Sequence, residues 1–321
     1  MIAFLFPGQG SQKVGMGQSL AERFPICRDT FAEADAALGE PLSALCFDGP
    51  EDRLLLTENT QPAILAMSTA VCRLVESEGV HPAFAAGHSL GEYSAHVAAG
   101  TLSFADALRT VRRRGRYMQE AVPLGEGAMA AILMLDADGV ARACDDAASE
   151  LRGRVVTLAN LNAPGQVVIA GHADAVALAG DKAKALGAKR VIPLAVSAPF
   201  HCPLMKPAEA RLAPELRALP VRPPRVPVVA NVDAEPKRDG PTAIDALIRQ
   251  VSAPVRWEQV VRRLVAEGAR TFVELGPGSV LAGLVKKIDR SVTVMSVDDE
   301  TGLAAALTAL RRMAEGGSLL L

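Results

Sequence analysis

The segment Pro82-Ala-Phe-Ala-Ala-Gly-His-Ser-Leu-Gly-Glu-Tyr-Ser-Ala-His-Val-Ala-Ala-Gly100 constrains the fold more than any other part of the chain. It places Gly87-His-Ser-Leu-Gly91 between a short apolar run and an Ala-rich helix that stops at Gly100. A strand that turns at once into a helix can close only if the positions two residues either side of the turn are small, and the turn leaves its central hydroxyl exposed at the carboxyl end of the strand. The helix that follows aims its N-terminal N–H groups at the same point, where they can meet a developing oxyanion. Ser89 is therefore a candidate nucleophile, although the bare G-x-S-x-G pattern is weak evidence in a chain with 27 glycines.

Strands and helices alternate on either side of this turn, which implies an α/β architecture on a largely parallel sheet. The strands read from the sequence are Ile2 to Phe6, Ala83 to Ala86, Val226 to Asn231, Thr271 to Leu275 and Val292 to Ser296. Ligands in such sheets bind beyond the carboxyl ends of the strands. The rhythm changes from Ala128 to Leu194, where the order is β-α-β-β-α-β around a turn at Asn162-Ala-Pro-Gly165, the ferredoxin-like pattern. Core strands precede and follow it. Residues 125–197 thus read as a small ferredoxin-like subdomain inserted into a large one formed by residues 1–124 and 198–321, with joints near Pro123 to Gly127 and Ala195 to Pro199 and a cleft between the lobes. The tail, Gly316 to Leu321, reads as a frayed end.

A serine hydroxyl needs a positioned base, usually histidine. Of five histidines, His88 and His96 read as structural and His81 and His172 as surface residues. His201 differs because Ala198-Pro-Phe-His-Cys-Pro203 sets it between two prolines, whose fixed φ can hold an imidazole in place. The loop Phe6-Pro-Gly-Gln-Gly-Ser-Gln12 follows the first strand, so its backbone N–H groups could complete an oxyanion hole with that of Leu90. A Walker loop would need Lys then Ser or Thr after Gly15, and Met16 and Gly17 stand there instead. Arg112-Arg-Arg-Gly-Arg116 reads either as a solvated basic face or as the source of one guanidinium turned into the cleft for a carboxylate.

Charge and cysteine usage narrow the setting. With 34 Lys plus Arg against 36 Asp plus Glu, no global field favours nucleic acid. The first ten residues lack the basic region and cleavage site of a secretory signal, and no run of about 18 apolar residues suits a membrane. The five cysteines are scattered, without metal-ligand spacing, which fits a reduced cytoplasm and no bound metal.

Taken together, the motifs resemble those of the malonyl-CoA:acyl carrier protein transacylases and the related acyltransferase domains of fatty-acid and polyketide synthases. The likeness runs from about Ile2 to Val297 through FPGQGSQ at Phe6 to Gln12, TQPAI at Thr60 to Ile64, GHSLGEYSA at Gly87 to Ala95, RGRYMQEAV at Arg114 to Val122, NLNAPGQVVIAG at Asn160 to Gly171, FHCPLM at Phe200 to Met205, PVRW at Pro254 to Trp257 and ELGPG at Glu274 to Gly278. The resemblance implies a hydrolase-like α/β core with the ferredoxin-like insert. It implies malonyl transfer from malonyl-CoA to the phosphopantetheine thiol of an acyl carrier protein, with no bound cofactor. By the same resemblance Ser89 is the acylated nucleophile, His201 its base, Arg114 the partner of the malonyl carboxylate, and the N–H groups of Gln9 and Leu90 the oxyanion hole. Gln250 supplies the backbone carbonyl that orients the imidazole, in place of a triad acid. Phe200 departs from many stand-alone members, which carry a small residue before the histidine; in polyketide relatives a phenylalanine here accompanies malonyl rather than methylmalonyl. Carrier proteins in this family are acidic, so Arg190, Lys286 and Lys287 are candidates for a docking patch. The rivals are a serine esterase or thioesterase and a catalytically silent docking module.

Overall fold

The computed structural model describes residues 1–196 and 198–317; Ser197 of the second joint and the end of the tail, 318–321, lie outside the described residues. Among the described residues ten strands form two sheets: β1 (Ile2–Phe6), β2 (Phe84–Gly87), β3 (Gly127–Leu133), β4 (Val156–Ala163), β5 (Gln166–His172), β6 (Arg190–Pro193), β7 (Val228–Val229), β8 (Pro236–Lys237), β9 (Thr271–Leu275) and β10 (Thr293–Val297). The larger sheet has the order β10-β9-β1-β2-β7-β8 and is parallel except for β8. Its central strands are buried on both faces, which is why Ala-Phe-Leu-Phe in β1 reads as a continuous apolar run rather than an alternating one, and why β9 is apolar apart from the buried Glu274 near its end.

β2 and β10 each lie one residue later than the sequence reading, and the region of β7 differs more. The strand expected over Val226 to Asn231 is only Val228–Val229, because Pro227 has no N–H to donate and the chain turns away at Ala230, whose N–H returns to Glu235. The two-residue β8 that this return creates was not anticipated from the alternation.

The smaller sheet has the order β4-β5-β3-β6 with every neighbouring pair antiparallel. Period-two alternation divides its faces. Ala130 and Ile132 of β3 join Val140, Ala143, Val176 and Ala179 of the covering helices Ala137–Glu150 and Ala173–Ala185 in a separate core. Met129 of β3 and Val168 and Ala170 of β5 face the other way and pack into the core of the larger lobe. Val255 laces the two lobes together, its N–H donating to Ala159 and its carbonyl accepting from Leu161. The antiparallel sheet is therefore bonded to the elements of the parallel one along one face, and a cleft opens where β1 and β2 end.

Candidate active site

β1 and β2 are adjacent and in register, Phe6 against Gly87, so the loops that follow them are forced together. The glycines make this possible. A Cβ on Gly87 would lie 1.9 Å from the carbonyl carbon of Gly91, one on Gly91 would lie 2.0 Å from the Phe6 carbonyl oxygen, and one on Gly8 would lie 2.5 Å from the His88 oxygen. Ser89 sits at φ 52°, in the left-handed region that a non-glycine residue rarely occupies, immediately before the helix Leu90–Ala98. Such strain persists only where the surroundings over-determine it.

His201 also has a positive φ, 59°, between its two prolines. Its Nε2 lies 2.7 Å from Ser89 Oγ, and its Nδ1 lies 3.0 Å from the backbone oxygen of Gln250. A carbonyl can only accept, so Nδ1 carries the proton and Nε2 presents its lone pair to the hydroxyl. Burial, reinforced by the positive charge of Arg114, pushes the imidazole down to about 3, which keeps it neutral.

The four arginines near position 114 separate cleanly. Arg112 pairs with Glu40, Arg113 with Glu215 and Arg116 with Glu58. Arg114 alone falls on the buried stripe of the helix Phe104–Glu120, three residues after Val111 and four before Met118. It is 1% exposed and makes no ion pair among the described residues. Its guanidinium donates to Gln61 Oε1 at 2.7 Å, Gln250 Oε1 at 3.0 Å and Ser89 Oγ at 3.2 Å. Gly115 lets this helix touch the helix Thr57–Ser77, since a Cβ there would lie 2.6 Å from the Thr57 oxygen, and that contact brings Gln61 within reach.

A cavity of about 130 Å³ collects these groups. Ser89, His201, Arg114 and Gln61 line it with Gln9 and Leu90, and Met118, Met129, Val196 and Phe200 supply apolar wall. Among the described residues the backbone N–H groups of Gln9 and Leu90 donate no hydrogen bond, whereas those of Gly91 and Glu92 turn back to His88 and Ser89. A second cavity of about 230 Å³ shares Gln9, His88, Asn160 and Leu194 with the first and runs between the loop Pro7 to Ser11 and Leu281 and Leu284. The described residues thus place around one small chamber a neutral imidazole, a hydroxyl, two N–H groups without an acceptor among them and a buried guanidinium without an ion pair among them.

Residues 3–312 match the family described as "Acyl transferase domain". The chain belongs to the acyl transferase domain family. This acyl transferase domain is 51% identical over 310 residues to the malonyl CoA-acyl carrier protein transacylase of Bacillus subtilis, covering 97% of each chain. It is 52% identical over 306 residues to the protein of that name from Escherichia coli, covering 95% of this chain and 98% of that one. Among solved structures, a malonyl-transacylase in complex with its type II PKS acyl-carrier protein superposes with a TM-score of 0.93 at 48% identity, covering 96% of this chain and 99% of that chain. An acyl carrier protein S-malonyltransferase from Vibrio cholerae superposes with a TM-score of 0.92 at 49% identity, covering 95% and 99%.

The other residues singled out from the sequence lie elsewhere, except His88, which borders both cavities. His88 Nε2 meets Asn162 Oδ1 at 2.8 Å, with the ring against Trp257. His96 is fully buried, and His172 Nδ1 accepts from Val155 N. Cys202 donates to the Pro199 carbonyl, and burial pushes its thiol up to about 11, away from the thiolate form. Arg190 is exposed at the start of β6, while Lys286 and Lys287 donate to the Val292 carbonyl and to Gln166. Among the described residues no helix is long and apolar enough to cross a membrane and no acidic, His or Cys cluster could hold a metal. Gln61, Asn231 and Glu92 were not singled out. Gln61 lies one turn before Leu65 in a helix buried on most sides, and a glutamine in such a helix is the signal that points to it.

Proposed function

We propose that this protein moves a malonyl group from malonyl-CoA to the phosphopantetheine thiol of an acyl carrier protein, in fatty-acid or polyketide synthesis, through an ester on Ser89. The observation that carries the reading is Arg114: a buried guanidinium without a carboxylate partner, 3.2 Å from the candidate nucleophile. An uncompensated buried cation is costly, and a substrate carboxylate beside the reacting carbonyl would supply the missing charge in a bidentate pair.

In the first half-reaction His201 takes the Ser89 proton at Nε2 as Oγ attacks the thioester carbonyl. The oxyanion is met by the N–H groups of Gln9 and Leu90, which are otherwise unspent. Collapse breaks the C–S bond, and coenzyme A leaves with the proton from His201. The carrier thiol then gives its proton to His201, attacks the malonyl-serine ester by the same route, and Ser89 recovers its proton. The Gln250 carbonyl fixes the imidazole tautomer without a triad acid. Arg114 is one of the causes that depress His201, so a malonyl carboxylate that neutralises it makes His201 a stronger base once substrate is bound.

No cofactor enters this chemistry. Phe200, 7% exposed in the chamber wall, occupies space that a methyl branch would need. The second cavity supports a pantetheine route, and Lys287, bonded to Gln166 in its wall, supports a docking surface that includes Arg190 and Lys286. The β-α-β-β-α-β order and antiparallel pairing support the ferredoxin-like assignment of residues 125–197 within a hydrolase-like core of 1–124 and 198–321. Five buried free cysteines are in keeping with a cytoplasmic setting.

The test is a two-step chase. Protein loaded from labelled malonyl-CoA is mixed with carrier protein or with buffer alone. Label should appear on the carrier thiol much faster than as free malonate; equal rates would make the protein a thioesterase.

A further inference from the structure

In a parallel ladder with Ala85 opposite Val228 and Ala86 opposite Val229, the next rungs follow from geometry. The backbone N–H of Asn231 would donate to the Gly87 carbonyl, and the N–H of Ser89 would donate to the Asn231 carbonyl. Neither bond forms. The Asn231 N–H goes to Glu92 Oε2 at 3.0 Å, and its carbonyl accepts from Arg256 N at 3.0 Å. Its side chain makes both missing bonds instead. Asn231 Nδ2 donates to the Gly87 oxygen at 2.7 Å, and Asn231 Oδ1 accepts from Ser89 N at 2.7 Å.

A carboxamide is the one uncharged side-chain group with the donor and acceptor of a peptide unit, so it can replace a peptide unit in the ladder. It carries the pairing one rung past the point where the two backbones diverge. That rung spans the strained turn, because Gly87 and Ser89 flank His88. Asn231 is fully buried, so losing it would leave a buried donor and a buried acceptor unpaired. Glu92 holds the arrangement from behind. Its Oε2 accepts from Asn231 N and from Gln250 Nε2 at 2.7 Å, and the same Gln250 nitrogen donates to the Ser89 carbonyl at 2.9 Å.

We infer that Asn231 is a positioning residue of the acyl transfer: its carboxamide holds Ser89 in the left-handed conformation that aims Oγ at His201. The inference rests on Ser89 being the nucleophile of the proposed reaction. Asn231 does not line the chamber and makes no contact with Arg114, so it should act on the rate of acylation and not on the binding of malonyl-CoA. Misplacing a nucleophile by about 1 Å costs on the order of 100-fold. Asn231→Ala should slow formation of the malonyl-enzyme by about 10- to 100-fold with the affinity for malonyl-CoA changed less than about threefold. Asn231→Asp keeps the acceptor and loses the donor, and should fall between Asn231→Ala and the unmodified chain.

The experiment is rapid-quench acylation of the full chain by malonyl-CoA, with binding measured separately, together with hydrogen exchange at the Ser89 amide. In the unmodified chain the Ser89 amide should be protected like those of Ala85 and Ala86; Asn231→Ala should lose that protection at Ser89 while keeping it in β2, and Asn231→Asp, which keeps the acceptor, should retain more of it. Acylation within threefold of normal in both variants would overturn the inference, and so would parallel losses in rate and affinity. Should the variants fail to fold, free exchange of the Ser89 amide in the unmodified chain would overturn it and protection would support it. Failure of the unmodified chain to form any malonyl-enzyme would instead defeat the proposed reaction, which keeps the two apart.

Discussion

Removing the Arg114 guanidinium should separate malonyl from acetyl transfer. The side chain is 1% exposed, donates to two carboxamide oxygens and the Ser89 hydroxyl, and lies over the Tyr93 ring; Glu92 acts on it through space, but no carboxylate is in ion-pair contact with it among the described residues. In the acylation complex the malonyl carboxylate is the only full negative charge that the proposal sets against it. Truncating one member of a buried, hydrogen-bonded charge pair costs about 2–5 kcal/mol. At about 1.4 kcal/mol per factor of ten, Arg114→Ala should lower kcat/KM for malonyl-CoA by about 30-fold or more. Acetyl-CoA brings no carboxylate, so its transfer should hold steady or rise. The weak contact to Ser89 Oγ, the longest of the three, is common to both substrates and cancels in the ratio. Arg114→Lys should restore only part of the malonyl activity, since an ammonium cannot copy the planar fork. The assay is the specificity constant for each thioester with a carrier protein as acceptor. A fall by the same factor for malonyl and acetyl would show that the arginine braces Gln61 and Gln250 rather than a substrate, and would leave the carboxylate without a clamp in this chamber, since Arg113 and Arg116 point away to Glu215 and Glu58.

Phe200→Ser should narrow the preference for malonyl- over methylmalonyl-CoA, which one excluded methyl group sets at roughly 10- to 200-fold, and an unchanged ratio would remove Phe200 from selectivity. Charge reversal at Arg190, Lys286 and Lys287 should raise KM for carrier protein and leave acylation by malonyl-CoA unchanged, with Arg190 contributing most because both lysines already donate within the chain; equal losses in both half-reactions would count against docking. Burial holds the Glu92 carboxyl up to about 7 against an ordinary 4.5. Folding therefore carries no ionisation cost from this group below pH 4.5 and an increasing one as pH rises through 7, so Glu92→Gln should gain up to about 3 kcal/mol relative to the unmodified chain between pH 4.5 and 8. Urea unfolding at both ends of that range would show a constant difference if Glu92 titrated normally.

The parts of the site that follow from local pattern were legible in the sequence. A small-residue turn between a strand and a helix announces Ser89, because the spacing of Gly87 and Gly91 is imposed by contacts of 1.9 and 2.0 Å that no side chain would survive. Paired prolines announce His201. Arg114 was left open among four arginines, yet helical periodicity points to it: only position 114 falls with Ala107, Val111 and Met118 on the apolar stripe. The partners contributed by long-range contact left no such trace. Gln250 was assigned from resemblance alone, and its side chain, which touches Arg114, Glu92 and the Ser89 carbonyl, was not foreseen. Asn231 was read as the end of a longer strand. Its role depends on where β7 stops and which backbone groups remain unpaired, and neither is encoded within a few residues of it.

The central claim is a malonyl ester on the hydroxyl of Ser89, and mapping the adduct tests it most directly. The chain is incubated with malonyl-CoA, quenched in acid, digested and analysed by mass spectrometry. A single malonyl adduct should be found on the peptide that carries Ser89, and Ser89→Ala should abolish it while leaving the fold intact. A malonyl adduct that survives in Ser89→Ala, or one that maps to another residue in the unmodified chain, would contradict the account.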